Sequence, residues 1–328
     1  MAFSLTGLTG YVNQNTLPLM TRAVFGAKSI SMANKMVGLK STSAINIMET
    51  TAAFAYGVSC AFSDNGTTTF SQRNIAVKHI KVHEALCPQA LEQTWLQHHL
   101  PQGSLYQAIP FEEAYANQKV AMIARQLESI SWIGDSTSID GWKDAIDGVT
   151  GGTEGVTDPI NANATAYTGN ATAITMAQFT TNAAGTTSRR TVLQAIECAI
   201  PTDILGTDDV VVFCGWDVFR LFRQDIVASN YFNLSYYEGM EAGEMVIPGS
   251  NIRLVAVPGL NYDATNNTSF SIYAMRKSNL VFGTDLLNEE EKFEIFYARE
   301  AMNVRFVCEF KAGFQIAFPQ QVVKFVMS

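Results

Sequence analysis

Residues 109–135 read IPFEEAYANQKVAMIARQLESISWIGD, and this stretch decides how the rest of the chain is organised. Val120, Ile123, Leu127 and Ile130 recur at helical spacing and form one apolar stripe. Pro110 suits a first helical turn, where its missing N–H costs nothing, and Glu112 and Glu113 favour the positive end of the helix dipole. The pattern predicts a helix of about 20 residues, about 30 Å long, stopping near Gly134.

Upstream, Cys87 to Leu100 reads as a shorter helix. Pro88 lies near its first turn, Leu91 and Trp95 share a face, and Pro101 and Gly103 mark its end. Before it, two β-prone runs, Ala53 to Phe62 and Thr67 to Val82, flank Asp64, Asn65 and Gly66. Asn-Gly between such runs is a strong hairpin signal, because both central turn residues must tolerate positive φ. In the second run Ile80 and Val82 alternate with His79, Lys81 and His83, giving one apolar and one polar face. Residues 1–45 mix Gly, Ser and Thr with isolated apolar residues, as expected of an extended arm that a neighbouring molecule orders.

Downstream, Gly148 to Ser188 is a weakly charged mixture of Gly, Thr, Asn and Ala, read as loops with short strands. A helix follows over Arg189 to Ile200, then the apolar strand VVVFC at Val210 to Cys214, then a helix beginning near Asp217 that carries Val218, Leu221 and Phe222. This succession is an α/β layer pattern. The last third reads as strands at Ile252–Val257, Phe270–Ala274, Leu280–Phe282, Phe293–Ala298, Val304–Phe310 and Phe314–Phe318, with no repeat of fixed period.

The whole chain of 328 residues is 47% hydrophobic but only 16% charged, against about a quarter charged in ordinary soluble domains. Such a composition suits a surface partly buried against other subunits, and equally a large core with small uncharged residues at the surface. The net charge of −8 and the absence of a basic stripe disfavour grip on nucleic acid through its phosphates. Cys60, Cys87, Cys198, Cys214 and Cys308 are odd in number and never paired as C-x-x-C, which argues for reduced thiols made in a cytosol. MAFSLTGLTGYVNQNTLPLM lacks the basic and apolar regions of a signal peptide, and no apolar run is long enough to span a bilayer. The sequons at Asn163, Asn170 and Asn267 therefore read as polar loop sequence.

Candidate chemical sites are few. His79, His83 and Cys87 stand four apart, but their strand setting keeps them from converging on a metal as they would on a helix. His98 and His99 sit where a helix end needs partners for its carbonyls. Gly151 to Gly155, GGTEG, lacks the Lys and the preceding strand of a phosphate cradle, and Glu289, Glu290 and Glu291 read as a solvated turn. No nucleophile elbow, P-loop, dinucleotide fingerprint or zincin motif occurs. No catalytic, cofactor-binding or metal-binding residue is assigned.

The order of elements resembles the major capsid proteins of tailed double-stranded DNA bacteriophages with the Hong Kong 97 fold. The resemblance is carried by Glu84–Leu96, Ile109–Asp135, SWIGDSTSIDGWKDAIDG at Ser131–Gly148, DVVVFCGWDVFRLFRQD at Asp209–Asp225, IPGSNIRLVAVPGL at Ile247–Leu260, NLVFGTD at Asn279–Asp285 and EFKAGFQIAFPQQVVKF at Glu309–Phe325. It implies an α+β fold with an N-terminal arm over 1–45, an E-loop hairpin over 46–84, P-domain helices including the spine helix over 85–147, an A-domain over 148–285 and C-terminal P-domain strands over 286–328. It further implies no enzymatic activity and no cofactor. The implied role is a shell of hexamers and pentamers in the virion, assembled in the bacterial cytoplasm around DNA that it does not contact specifically. Fewer than fifty residues precede the hairpin, so a separate scaffolding protein or another assembly aid is implied besides portal and head-completion partners. Lys78 and Lys81 fall in the hairpin, but no partner Asn and catalytic Glu match an isopeptide crosslink.

Three other readings remain open to the sequence. An encapsulin-like compartment would keep the fold and enclose enzymes, and a tail or decoration protein would assemble as rings or tubes. An α/β hydrolase or transferase would use Cys214, placed directly at the end of a buried strand, or a carboxylate as its reactive group.

Overall fold

The computed structural model describes residues 27–54, 65–86, 111–135, 139–148, 159–162, 174–181, 189–207, 209–228, 243–264, 267–285, 292–298, 300–301 and 303–327. The expected helix Cys87–Leu100, the His98–His99 pair, GGTEG and Glu289–Glu291 lie outside these residues.

The stripe of residues 109–135 becomes helix α2, Phe111–Ile133; it follows a short helix, α1, at Lys28–Met32. Val120, Ile123 and Leu127 are buried as the spacing requires, and the buried face continues through Glu128, Ser131 and Trp132. The helix ends where Gly134 adopts φ +74° and its N–H donates to the Ile130 carbonyl at 2.8 Å. Only Gly takes this conformation cheaply, and here there is a second reason: a Cβ would lie 2.3 Å from the Ile139 carbonyl oxygen. Helix α3, Trp142–Asp147, then folds back against α2.

Two sheets share the core. The larger has the order β5-β13-β9-β6-β8-β7, built from β5 (Ile160–Asn161), β6 (Val210–Cys214), β7 (Glu244–Val246), β8 (Arg253–Ala256), β9 (Phe270–Arg276) and β13 (Val323–Met327). VVVFC is β6, at the middle of this sheet, with all five residues buried. Its side chains alternate between two apolar layers. Val211 and Phe213 join α2, while Val210, Val212 and Cys214 join α4 (Met176–Thr181), α5 (Arg189–Ala199), α6 (Thr202–Leu205) and α7 (Trp216–Ala228). A strand buried on both faces needs an uninterrupted apolar run, which is what the sequence supplies. Strands β6 and β8 pair in parallel, with α7 crossing between them.

The second sheet runs β1-β10-β12-β11, with β4 also on β12. Its members are β1 (Asn34–Val37), β4 (Lys78–Leu86), β10 (Leu280–Thr284), β11 (Lys292–Ala298) and β12 (Asn303–Ile316). Strand β12 is continuous, where two strands interrupted at Lys311–Gly313 were expected. Ala312 and Gly313 continue the ladder because the chain leaving the ribbon passes over them: a Cβ at Gly313 would lie 2.4 Å from the Ala76 carbonyl oxygen. Strand β13 had no counterpart in the strand pattern read from sequence, and it crosses to the larger sheet, pairing β9.

The arm expectation is corrected for its last part. Residues 28–37 are ordered by the chain itself: Ser29 and Ile30 are fully buried, and β1 pairs in parallel with β10. Replacing Gly134 with Ala is expected to cost roughly 3 kcal/mol, from positive-φ strain together with the clash. A denaturant titration of the variant beside the parent protein measures it.

Candidate assembly surface

Strands β2 (Thr42–Ala52) and β3 (Gly66–Ala76) form an antiparallel ribbon of their own, paired from Thr42↔Ala76 to Ala52↔Gly66. The hairpin was expected, but its first strand lies earlier than Ala53–Phe62. Asn65 and Gly66 are not its two-residue turn, since the Ala53 N–H donates to the Asn65 carbonyl and residues 55–64 fall between, outside the described residues. The register answers to burial at the base. Ile47, Arg73 and Ile75 are buried, Ile75 packs with Val281 and Ala317, and Arg73 Nη2 donates to Gln315 Oε1 at 3.2 Å. A slip of one residue would turn these groups outward.

Among the described residues the ribbon beyond its base meets the body at few points, such as Gln320 Nε2 donating to Glu49 Oε1. Threonines hold it through cross-strand contacts, Thr51 Oγ1 to Thr67 Oγ1 at 2.7 Å and Thr50 Oγ1 to Thr68 Oγ1 at 3.4 Å, and Gln72 Nε2 donates to Asn46 Oδ1 at 2.8 Å. Met48 and Phe70 face each other across the two strands while 63% and 79% exposed, and Phe54 is fully exposed. A two-stranded ribbon is marginal alone in water, and exposed large apolar side chains at its end mark a contact surface.

On β4, the histidines point to the polar face as expected. His83 Nε2 lies 3.0 Å from Glu309 Oε1, and His79 Nε2 lies 3.7 Å from Glu309 Oε2. The hydrogen bond from His83 leads the effects that hold the Glu309 carboxyl below the usual range. The trio bridges β4 to β12, and Cys87 lies outside the described residues. Among the described residues no group of three or more His, Cys, Asp or Glu side chains is placed to hold a metal ion. On the other face, Glu84 of β4 pairs with Lys119 of α2, beside the Tyr115 ring.

Cys214 does not offer a nucleophile. It is fully buried in the apolar layer, and burial pushes its thiol far above the ordinary range, leaving no thiolate at neutral pH. Asn267, one of the sequons, is 1% exposed and its Nδ2 donates to the Leu260 and Asn261 carbonyls, so it is a structural side chain rather than loop surface. Among the described residues no helix is long and apolar enough to cross a membrane.

Comparison with solved structures defines the class to which this architecture corresponds. A chain from the satellite phage P4 procapsid that includes the size determination (Sid) protein superposes with a TM-score of 0.57 at 12% identity, covering 94% of this chain and 90% of that one. A chain from the capsid of an empty GTA particle gives 0.55 at 9% identity, with 94% and 90% covered. A chain of Microbacterium phage Oxtober96 gives 0.52 at 12% identity, with 92% and 90% covered. The mixed helix-and-sheet fold is that of phage capsid proteins. No family model matches the sequence, and no curated protein does.

Mild alkylation of the native protein is expected to label Cys198, which is exposed, and to spare Cys214 and Cys308, which are buried. Peptide mass mapping before and after denaturation distinguishes the two groups.

Proposed function

We propose that this chain is the structural subunit of an icosahedral bacteriophage head, assembling into hexamers and pentamers that enclose the double-stranded DNA genome. The observation that carries the reading is the ribbon β2–β3, whose far end keeps Met48, Phe54 and Phe70 in solvent. A closed shell needs each subunit to reach a neighbour through heterologous contacts, and a projecting ribbon with an apolar end supplies reach and burial together. In this reading the ribbon is the E-loop, α2 is the spine helix of the P-domain, and β6, α7 and β8 belong to the A-domain. The arm is then the chain before Lys28, with Lys28–Val37 seated on the body; the E-loop region runs from Thr42 to residue 84, the P-domain helices over 85–147, the A-domain over 148–285 and the returning strands over 286–328, the last of which, β13, pairs into the larger sheet.

The charge balance supports a container that does not cling to its genome: 30 acidic residues face 22 basic ones. Several described cations are held close to carboxylates, including Lys28 and Arg253 by Glu244 and Lys311 by Asp285. The role is structural and not enzymatic, with the virion as its location. Scaffolding, portal and head-completion proteins are its partners besides itself.

Negative-stain electron microscopy of the chain, alone and with its neighbouring genes, tests the reading. Closed particles, or hexamers and pentamers, are expected; a monodisperse monomer under both conditions overturns it. Met48→Glu with Phe70→Glu is expected to leave the thermal unfolding midpoint nearly unchanged, because both residues are exposed, and to abolish closed particles.

A further inference from the structure

Ser29, Glu128 and Trp132 meet where α1 lies against α2, and the proposed shell role uses none of them. Ser29 and Trp132 are fully buried and Glu128 is 3% exposed. The Ser29 backbone N–H donates to Glu128 Oε2 at 3.0 Å, its hydroxyl donates to Oε1 at 2.5 Å, and Trp132 Nε1–H donates to Ser29 Oγ at 2.7 Å. A single carboxyl group and one indole thus make the buried polar connection between the N-terminal segment and the long helix.

We propose that these three residues form a proton-dependent latch, in which the neutral Glu128 carboxyl holds the segment Ala27–Val37 on the body and its ionisation loosens that segment. A neutral acid still accepts the Ser29 N–H at Oε2, and across the other contact its Oε1–H becomes the donor, to Ser29 Oγ. An ionised one must keep a full charge away from water, and lifting the segment lets water reach it. Burial is the leading influence on Glu128 and raises its carboxyl above the ordinary range, against the Ser29 hydrogen bonds and the Lys28 charge. Lys28 itself is held 3.1 Å from Glu244 Oε1, whose partner oxygen lies 3.9 Å from Arg253. Of the other elements packed on α2, the turn Pro258–Leu260 carries no ionisable side chain, α3 carries Lys143, Asp144 and Asp147, with the Asp144 carboxyl also raised by burial, and burial keeps Tyr273, stacked on Trp132, neutral.

The sign follows from comparing the two states. With the segment lifted, Glu128 titrates in the ordinary carboxylate range; with it seated, Glu128 titrates higher. The latch is therefore at full strength below the ordinary range, weakens as pH rises through the window between the two values, and stays weak above the seated value. Within that window the opening equilibrium grows by up to about tenfold per pH unit. The inference concerns the folded subunit and stands apart from shell formation.

Hydrogen exchange of the full chain across about pH 4 to 8 reads it, following the peptide Ala27–Val37 against the β6 peptide Val210–Cys214 as the internal reference for intrinsic rates. The wild-type ratio is expected to rise with pH, Glu128→Gln to remove the rise, and Ser29→Ala to raise opening at every pH. A flat wild-type ratio, or the same slope in Glu128→Gln, overturns the latch. If Glu128→Gln does not fold, infrared titration of the wild type decides. Loss of a buried protonated-carboxyl band in step with opening supports the latch, and loss of that band within the ordinary carboxylate range overturns it.

Discussion

The fold depends on where the Trp132 side chain goes. Its ring lies 5.4 Å from that of Trp142, 5.3 Å from Phe213 and 6.0 Å from Tyr273, and Trp142 in turn lies 5.2 Å from Phe314. These five rings come from the end of the long helix, from α3, from the larger sheet and from β12. They are the place where helix and both sheets touch. Aromatic edges and faces at these separations attract beyond the area they bury, and truncating a ring of this size at such a site costs about 3–5 kcal/mol. The two indole N–H groups are satisfied by Ser29 Oγ and the Val281 carbonyl, so the cluster also fixes α1 and β10.

Around this junction the larger sheet acts as a partition. One face, with Phe213, Tyr273 and Met275, closes the core under α2; the other, with Val212, Cys214 and Ile272, closes the core under α5 and α7. The helical side is pinned by a buried cation. Arg189 donates to the carbonyls of Phe179, Thr180 and Leu221, joining α5 to the end of α4 and the middle of α7. A buried guanidinium with carbonyl acceptors on several sides loses less on desolvation than a bare charge would.

The ribbon obeys a different balance. Inside the body, side chains are buried on assembly of one chain; along the ribbon they are paired across strands and left in water. Such an element is specified by its threonines and its cross-strand register, and by the few groups at its base that the body covers. Its stability is therefore coupled to what it next packs against. That coupling is what the proposed shell role requires.

Periodicity and composition alone placed the long helix and its glycine stop, the buried strand VVVFC with the helix after it, and the polar and apolar faces of β4. In each of these, local spacing and burial agree. The element order also carried the resemblance to phage capsid proteins that the fold bears out, although no motif in it is specific. Other features were decided by tertiary structure. The ribbon's first strand lies at Thr42–Ala52 because burial of Ile47 and Ile75 selects the register over the Asn65–Gly66 turn signal. Residues 28–37 belong to the body because the Glu128 carboxyl is buried on the inner face of the long helix, where Ser29 meets both of its oxygens. Strand β12 runs unbroken because the chain crossing it needs Gly313 to be small. Propensity and period act between near neighbours along the chain, whereas register, buried polar pairing and close backbone approach depend on partners tens to hundreds of residues away.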